Sequence, residues 1–115
     1  MTDLRTLILN ANDKNLSEIH VPEWGVNLWL RGWSGKERAA FQQAYSQAKT
    51  DEEVANLSGL VVALTVCNDQ GQRIFQIEDV ELLNEKSATA LDRVVNAALQ
   101  HNGITKTAIE DAKKN

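Results

Sequence analysis

Apolar residues recur with helical spacing along much of this 115-residue chain. Near the N-terminus they occupy positions i, i+3, i+4 and i+7, the pattern of a helix with one apolar face: Leu4, Leu7, Ile8 and Ala11. Further helices are predicted to begin after residues of the types that cap a helix N-terminus: Ser34, Thr50, Ser87 and Thr105. A short helix is predicted between Ile77 and Leu83.

Two of these helix starts have a more complete capping pattern. Ser34 and Thr50 are each followed three residues later by a glutamate, which predicts two capping boxes. The helix after Thr50 is apolar nearly all round, which is typical of a central helix. Its later part, Val61 to Val66, is rich in β-branched residues, so a strand is an open alternative for its second half.

A stretch of alternating polarity lies between the first two helices. Ile19 and Val21 alternate with polar neighbours, and the alternation resumes after a turn at Val26, Leu28 and Leu30. The structural turn combines a proline, an aromatic residue and a glycine: Pro22, Trp24 and Gly25. The sequence therefore predicts one domain over residues 1–115. Its class is α+β and mainly α-helical, with five or six helices and one small N-terminal β-hairpin.

Length and charge narrow the classes of function. The chain has the length of one domain, and its 12 basic and 16 acidic residues give a net charge of −4. Binding to nucleic acid or to an anionic membrane is disfavoured, because the longest basic run is Lys113-Lys114. The apolar stretch Leu60 to Leu64 is far too short for a membrane helix, and residues 1–5 do not start a signal peptide. The lone Cys67 fits a reducing cytoplasm.

The sequence offers few candidate catalytic or metal-binding residues. The side chains best suited to transition metals are His20, His101 and Cys67, and no two of them share a ligand spacing. The sequence contains neither a phosphate-binding loop nor a nucleophile motif. The acidic run Asp51 to Glu53 stands in a first helical turn, where it complements the helix dipole. We therefore expect no catalysis, no metal and no cofactor.

The three tryptophans fall within ten residues: Trp24, Trp29 and Trp33. Strand alternation predicts that Trp29, Arg31 and Trp33 point away from the aliphatic face of the hairpin. Because tryptophan and arginine dominate binding hot spots, this face is a candidate surface for self-association or partner binding. The alternative is that a second helix covers it and the tryptophans are core. Trp24 is expected to hold the turn by packing.

Short motifs succeed one another across almost the whole chain: VPEWGV at 21–26, LRGWSGKER at 30–38, LVVAL at 60–64, NDQGQRIF at 68–75, EDV at 78–80, KSA at 86–88 and ALDR at 90–93. In order and spacing they resemble those of the tail assembly chaperones of long, non-contractile-tailed phages and prophages. One departure is Gln76, where the family pattern favours a Thr or Ser helix cap.

The resemblance implies a chaperone that works in the bacterial host cytoplasm and is not part of the mature virion. Such chaperones bind the long, helical tape measure protein, keep it soluble and promote assembly of tail tube protein around it. Family members also tend to self-associate. A different class of function remains as the alternative, a small acidic adaptor or inhibitor that binds one defined partner through the Trp29/Arg31/Trp33 face.

Many members of this family are made in two lengths, the longer one by programmed frameshifting. Codons for Ala112-Lys113-Lys114 can spell a slippery heptamer, so we hypothesise that the ribosome shifts frame here and appends a second domain. The alternative is that the two lysines only favour a helix C-terminus.

Overall fold

Helices account for most of the structure. The computed structural model describes residues 3–104, and in this range it has five α-helices: α1 (Leu4–Asn10), α2 (Gly35–Gln47), α3 (Asp51–Thr65), α4 (Val80–Asn84) and α5 (Ala88–His101). A short 3₁₀ helix, Ile77–Asp79, leads into α4. The α+β, mainly helical class is confirmed. The helix predicted after Thr105 and the run Ala112 to Lys114 lie outside the described residues.

Side-chain caps start the helices close to where the sequence predicts them. Asp3 accepts a hydrogen bond from the Thr6 amide at 2.7 Å and so begins α1. At Ser34 both halves of the capping box form with Glu37, at 2.9 and 3.1 Å. At Thr50 only one half forms as predicted, because the Glu53 carboxylate accepts from the Thr50 hydroxyl instead of the backbone.

The three strands form one antiparallel sheet in the order β1-β2-β3: β1 (Leu16–Val21), β2 (Val26–Arg31) and β3 (Val66–Cys67). The first two are the predicted hairpin, in register from Leu16 opposite Arg31 to Val21 opposite Val26. The strand alternative for Val61 to Val66 holds only at its end, since α3 continues to Thr65 before β3 begins. Arg73 adds a single bridge to Cys67.

Helix α3 runs through the centre of the molecule. The residues from Val61 to Cys67 are all buried, and they pack with inner residues of the sheet, including Val21 and Leu30, and with the buried face of α5. Helix α4 packs closely on α3 at Gly59, where an added Cβ would lie 2.7 Å from Asn84 Oδ1 and 2.8 Å from the carbonyl oxygen of Val80. One face of the sheet is therefore closed by the core.

Candidate functional site

Of the three side chains predicted for binding, Trp29 lies in an accessible position on the outer face of the sheet. Trp29 lies in β2 opposite Glu18 of β1 and Cys67 of β3, and its side chain is half-buried. Its neighbours along the strand, Leu28 and Leu30, pack into the core instead. Trp29 is thus placed on the face predicted from strand alternation.

Arg31 shares that strand but is engaged within the molecule. Its guanidinium forms an ion pair with Glu37 and its Nε donates to the carbonyl oxygen of Leu64 at 3.5 Å. Arg73 approaches the same Glu37 carboxylate at 3.7 Å and donates to the carbonyl oxygen of Ala63 at 3.0 Å. Two guanidinium groups therefore satisfy carbonyls at the C-terminus of α3, where cations are favoured.

Trp33 lies where strand alternation does not place it. β2 ends at Arg31, and the Trp33 amide donates to Asn102 Oδ1 at 2.6 Å. The Trp33 indole packs on Phe41 of α2 with ring centroids 5.3 Å apart, and its Nε1 donates to Thr65 Oγ1 at 2.8 Å. The expectation that it shares a strand face with Trp29 is wrong, because the chain leaves the sheet before reaching it.

The turn predicted at Pro22, Trp24 and Gly25 joins β1 to β2. The Gly25 amide donates to the carbonyl oxygen of Val21 at 2.9 Å, and Gly25 has a φ of +64°, which favours glycine. The half-buried Trp24 packs against the core cluster. These residues therefore both close the hairpin and pack the turn against the core.

An ion pair ties the hairpin turn to α5. Arg93 donates to both carboxylate oxygens of Glu23, with its closest contact at 2.8 Å. These hydrogen bonds lower the pKa of the Glu23 carboxyl and raise the pKa of Arg93. Both residues are at the surface, so the pair connects two elements and adds little to stability.

Helix α1 contains four of the six large apolar side chains that are more than half exposed within residues 3–104, the other two being Ile77 and Leu82. None of the seven residues of this helix is buried. Its large aliphatic side chains are exposed by more than half: Leu4 71%, Leu7 56%, Ile8 61% and Leu9 65%. The spacing of the first three had predicted a one-sided helix, but nothing in the sequence showed that this side would be uncovered. We call Leu4, Leu7 and Ile8 the α1 stripe.

The groups considered for metal binding each have a different local partner. His20 Nδ1 lies 2.6 Å from Asn27 Oδ1, and His101 lies between Ser17 Oγ and the Asn15 carbonyl oxygen, at 3.2 and 2.8 Å. Burial raises the pKa of the Cys67 thiol. Between residues 3 and 104 no group of three or more His, Cys, Asp or Glu side chains could hold a metal ion. In the same range no helix is long and apolar enough to cross a membrane.

The exposed apolar side chains of α1 form a candidate surface for binding another polypeptide. The sequence model of the family described as "Phage tail assembly chaperone" matches residues 3–115. The chain therefore belongs to the phage tail assembly chaperone family, and the resemblance found in the sequence motifs is confirmed.

A solved structure supports the fold. The bacteriophage HK97 tail assembly chaperone matches with a TM-score of 0.65 and 20% sequence identity, over 84% of this chain and 94% of that one. At this identity the likeness shows the fold alone. No curated protein sequence matches this chain.

Proposed function

We propose that this protein binds the tape measure protein of a long-tailed phage or prophage, keeps it soluble and promotes assembly of tail tube protein around it. Membership of the tail assembly chaperone family over residues 3–115 carries this proposal. The work is done in the cytoplasm of the bacterial host, without catalysis or a cofactor, and the protein does not remain in the mature virion.

The α1 stripe is the surface we assign to the client. A long helical client kept out of its final assembly exposes apolar faces, and an apolar helix can cover such a face by side-by-side packing. Leu4, Leu7 and Ile8 lie along one side of α1 at the spacing that such packing requires, and each is more than half exposed. The stripe gives a client-binding protein what it needs, an apolar surface that its own core does not use.

Trp29 is assigned a second role, in self-association. It is the member of the Trp29/Arg31/Trp33 set whose side chain stays on the outer face of the sheet, whereas Arg31 and Trp33 make contacts with α2 and α3. An adaptor that binds through all three residues would have to break those contacts. The structure thus favours the chaperone over this alternative.

A longer product by frameshifting is part of the same proposal. The Ala112-Lys113-Lys114 codons are where the ribosome would shift. Reading the gene at these codons tests this directly. An AAG codon at position 113 would remove the slip site and contradict the proposal, whereas an uninterrupted run of adenines would support it.

Co-expression tests the chaperone function. A tape measure fragment is produced in bacteria alone, with the wild-type protein, and with Leu7→Asp, which places a charge in the middle of the α1 stripe. We expect the fragment to be soluble only with the wild type. Asn12→Asp is the matched control, because it adds the same charge in the exposed linker after α1 and should behave as wild type.

Two results would contradict the proposal in different ways. If the fragment is equally insoluble with and without the wild-type protein, the chaperone function is wrong. If Leu7→Asp protects the fragment as well as wild type does, the function stands but the α1 stripe is not the client surface.

A further inference from the structure

Strand β1 lies at an open edge of the sheet. The strand order β1-β2-β3 gives β1 a hydrogen-bonded neighbour on one side only. Next to the start of β1, the Gly32 amide donates to the carbonyl oxygen of Asn15 at 3.1 Å, and in an antiparallel ladder such bonded pairs alternate with unbonded ones. Three residues of β1 therefore direct their backbone N–H and C=O groups away from β2: Leu16, Glu18 and His20.

These three residues, which we call the β1 edge, have no backbone partner in the described part of the chain. Between residues 3 and 104 none of their outward N–H or C=O groups forms a hydrogen bond. Proteins block such an edge with a covering segment or with proline, but Pro22 follows β1 and leaves all three amides in place. The β1 edge can therefore accept one more strand.

We infer that the β1 edge pairs antiparallel with the β1 edge of a second copy of the protein, with Glu18 opposite His20 of the partner subunit. Two-fold symmetry then repeats every contact, since each copy offers the same surface to the other. The two sheets join into one sheet of six strands. This inference rests on the self-association in the proposed function and assigns a surface to it.

Charge selects this register among those that bring the two edges together. A register with Glu18 opposite the partner's Glu18 places two carboxylates side by side, which is destabilising. A register with Glu18 opposite the partner's Leu16 gives the carboxylate no opposite charge. With Glu18 opposite the partner's His20, a carboxylate meets an imidazole at both ends of the contact. The half-buried Ile19 then faces the partner's Ile19 on the inner side of the joined sheet, where each covers the other further.

The imidazole of His20 has one nitrogen available for this contact. Its Nδ1 lies 2.6 Å from Asn27 Oδ1, an oxygen that only accepts, so Nδ1 carries the hydrogen. Its Nε2 has no partner within residues 3–104, and in a protonated imidazole this nitrogen donates as well. The nearby carboxylate of Glu23 is already bonded by Arg93. The partner's Glu18 can therefore accept from Nε2 without competition from Glu23.

The contact is small. Each Glu18–His20 pair exchanges two backbone hydrogen bonds, and the two copies form two such pairs. An interface below about 1,200 Å² is typical of weak and transient association, so we expect a dimer that forms and separates with concentration. Trp29 stands directly opposite Glu18 in β2, where side chains of an antiparallel pair come closest. This position links the β1 edge to the role proposed for Trp29.

Charge reversal tests the register. Sedimentation is measured without any client, so the outcome does not depend on the chaperone function, and at pH 6, where an ordinary histidine is largely protonated. Glu18→Lys and His20→Glu each place like charges opposite one another twice, so each should raise the dissociation constant of the dimer about tenfold. The double variant Glu18→Lys/His20→Glu restores opposite charges in both pairs and should associate as wild type does. Glu85→Lys is the matched control, because it makes the same charge change at an exposed position outside the sheet.

Removal of one backbone donor tests the edge itself. Glu18→Pro lacks an outward amide, and an edge strand tolerates proline where the N–H faces solvent. This variant should therefore keep its helical circular dichroism signal and stay monomeric. Glu18→Gln keeps the amide and should weaken association less. If Glu18→Pro does not fold, the charge variants decide alone.

Three results would overturn the inference. The first is wild-type association in Glu18→Pro or in both single charge variants, and loss of association in Trp29→Ala would then show that self-association uses another surface. The second is a double variant as weak as the single ones, which would contradict the register. The third is a wild-type protein that stays monomeric at every concentration. If Glu18→Pro then fails to bind a tape measure fragment that wild type binds, the β1 edge belongs to the client.

Discussion

Helices α1 and α3 have similar apolar content but differ in burial: α1 is exposed and the second half of α3 is buried. Both begin at a side-chain cap, Asp3 for α1 and Thr50 for α3. Residues from Val61 to Thr65 of α3 are buried, and its last carbonyls are bonded by arginines, whereas no residue of α1 is buried. An apolar face on a helix therefore indicates that the helix needs a covering surface. Whether the core, another segment of the chain or a bound client supplies that surface depends on the tertiary contacts of the helix.

A single charged substitution in each helix should give the largest difference in the free energy of unfolding between α1 and α3. Val62→Asp puts a carboxylate at a fully buried position and should cost on the order of 4 kcal/mol or more, enough to unfold a domain of ordinary stability. Leu7→Asp should cost less than about 1 kcal/mol, since its position is exposed. Urea unfolding followed by circular dichroism measures both. Similar losses from the two substitutions would remove the distinction.

The tryptophans of the hairpin region should differ in the same sense. Trp33→Ala removes the contact with Phe41 and the hydrogen bond to Thr65 at the end of α3, so we expect a loss of about 3 kcal/mol in the free energy of unfolding. Trp29→Ala should cost about half as much, because its side chain is only half-buried and lies outside the core cluster.

The proposed self-association should distinguish the two tryptophans a second time. Trp29→Ala should weaken it in sedimentation experiments while leaving the helical circular dichroism signal intact. A Trp29→Ala variant that unfolds as readily as Trp33→Ala would place both side chains in the core and remove the binding role of Trp29.

A glycine pair tests how tightly α3 is packed. Gly59→Ala should cost about 1–3 kcal/mol, because its Cβ would meet Asn84 Oδ1 at 2.7 Å and the Val80 carbonyl oxygen at 2.8 Å. Gly35→Ala is the matched control in α2, where an added Cβ meets nothing within 4 Å and alanine favours the helix. Thermal unfolding compares the two. Equal midpoints would contradict the close approach of α4 to α3.

The smallest expected effect is a pH dependence at the hairpin turn. The hydrogen bonds from Arg93 lower the pKa of Glu23 below its ordinary value of 4.5, so the pair stabilises the fold above that pH and loses its effect as pH falls through the folded value. Glu23→Gln should therefore be less stable than wild type at pH 6, and the difference should shrink as the pH falls through the lowered pKa of Glu23. Arg93→Gln should show the same convergence, and a difference from wild type that is constant with pH would contradict the pairing.

Local signals predicted most of the fold. The caps at Ser34 and Ser87 and the alternation around the hairpin turn are short-range features, and each starts or ends an element as expected. The end of α3 was less predictable, because Val66 and Cys67 become a strand only through pairing with β2, a partner far along the chain. Because the pairing partner is distant in sequence, the β-branched residues from Val61 to Val66 could indicate a possible strand but not where it begins.

The candidate site was predicted in part. Alternation placed Trp29 on the outer face of the sheet, but it could not show that β2 ends before Trp33 or that Glu37 and the end of α3 would engage Arg31. The α1 stripe was visible in the sequence as an amphipathic pattern. Its exposure was not, because whether a face is covered depends on tertiary contacts and not on spacing.

Complex formation with a tape measure fragment tests the central claim most directly. The protein and a purified fragment are mixed, and the masses of the eluting species are measured by light scattering after size exclusion. Wild type and Asn12→Asp should both elute with the fragment as a heavier complex, whereas Leu7→Asp should elute apart from it. A Leu7→Asp variant that forms the same complex, or a wild-type protein that forms none, would contradict the assignment of α1 as the client surface.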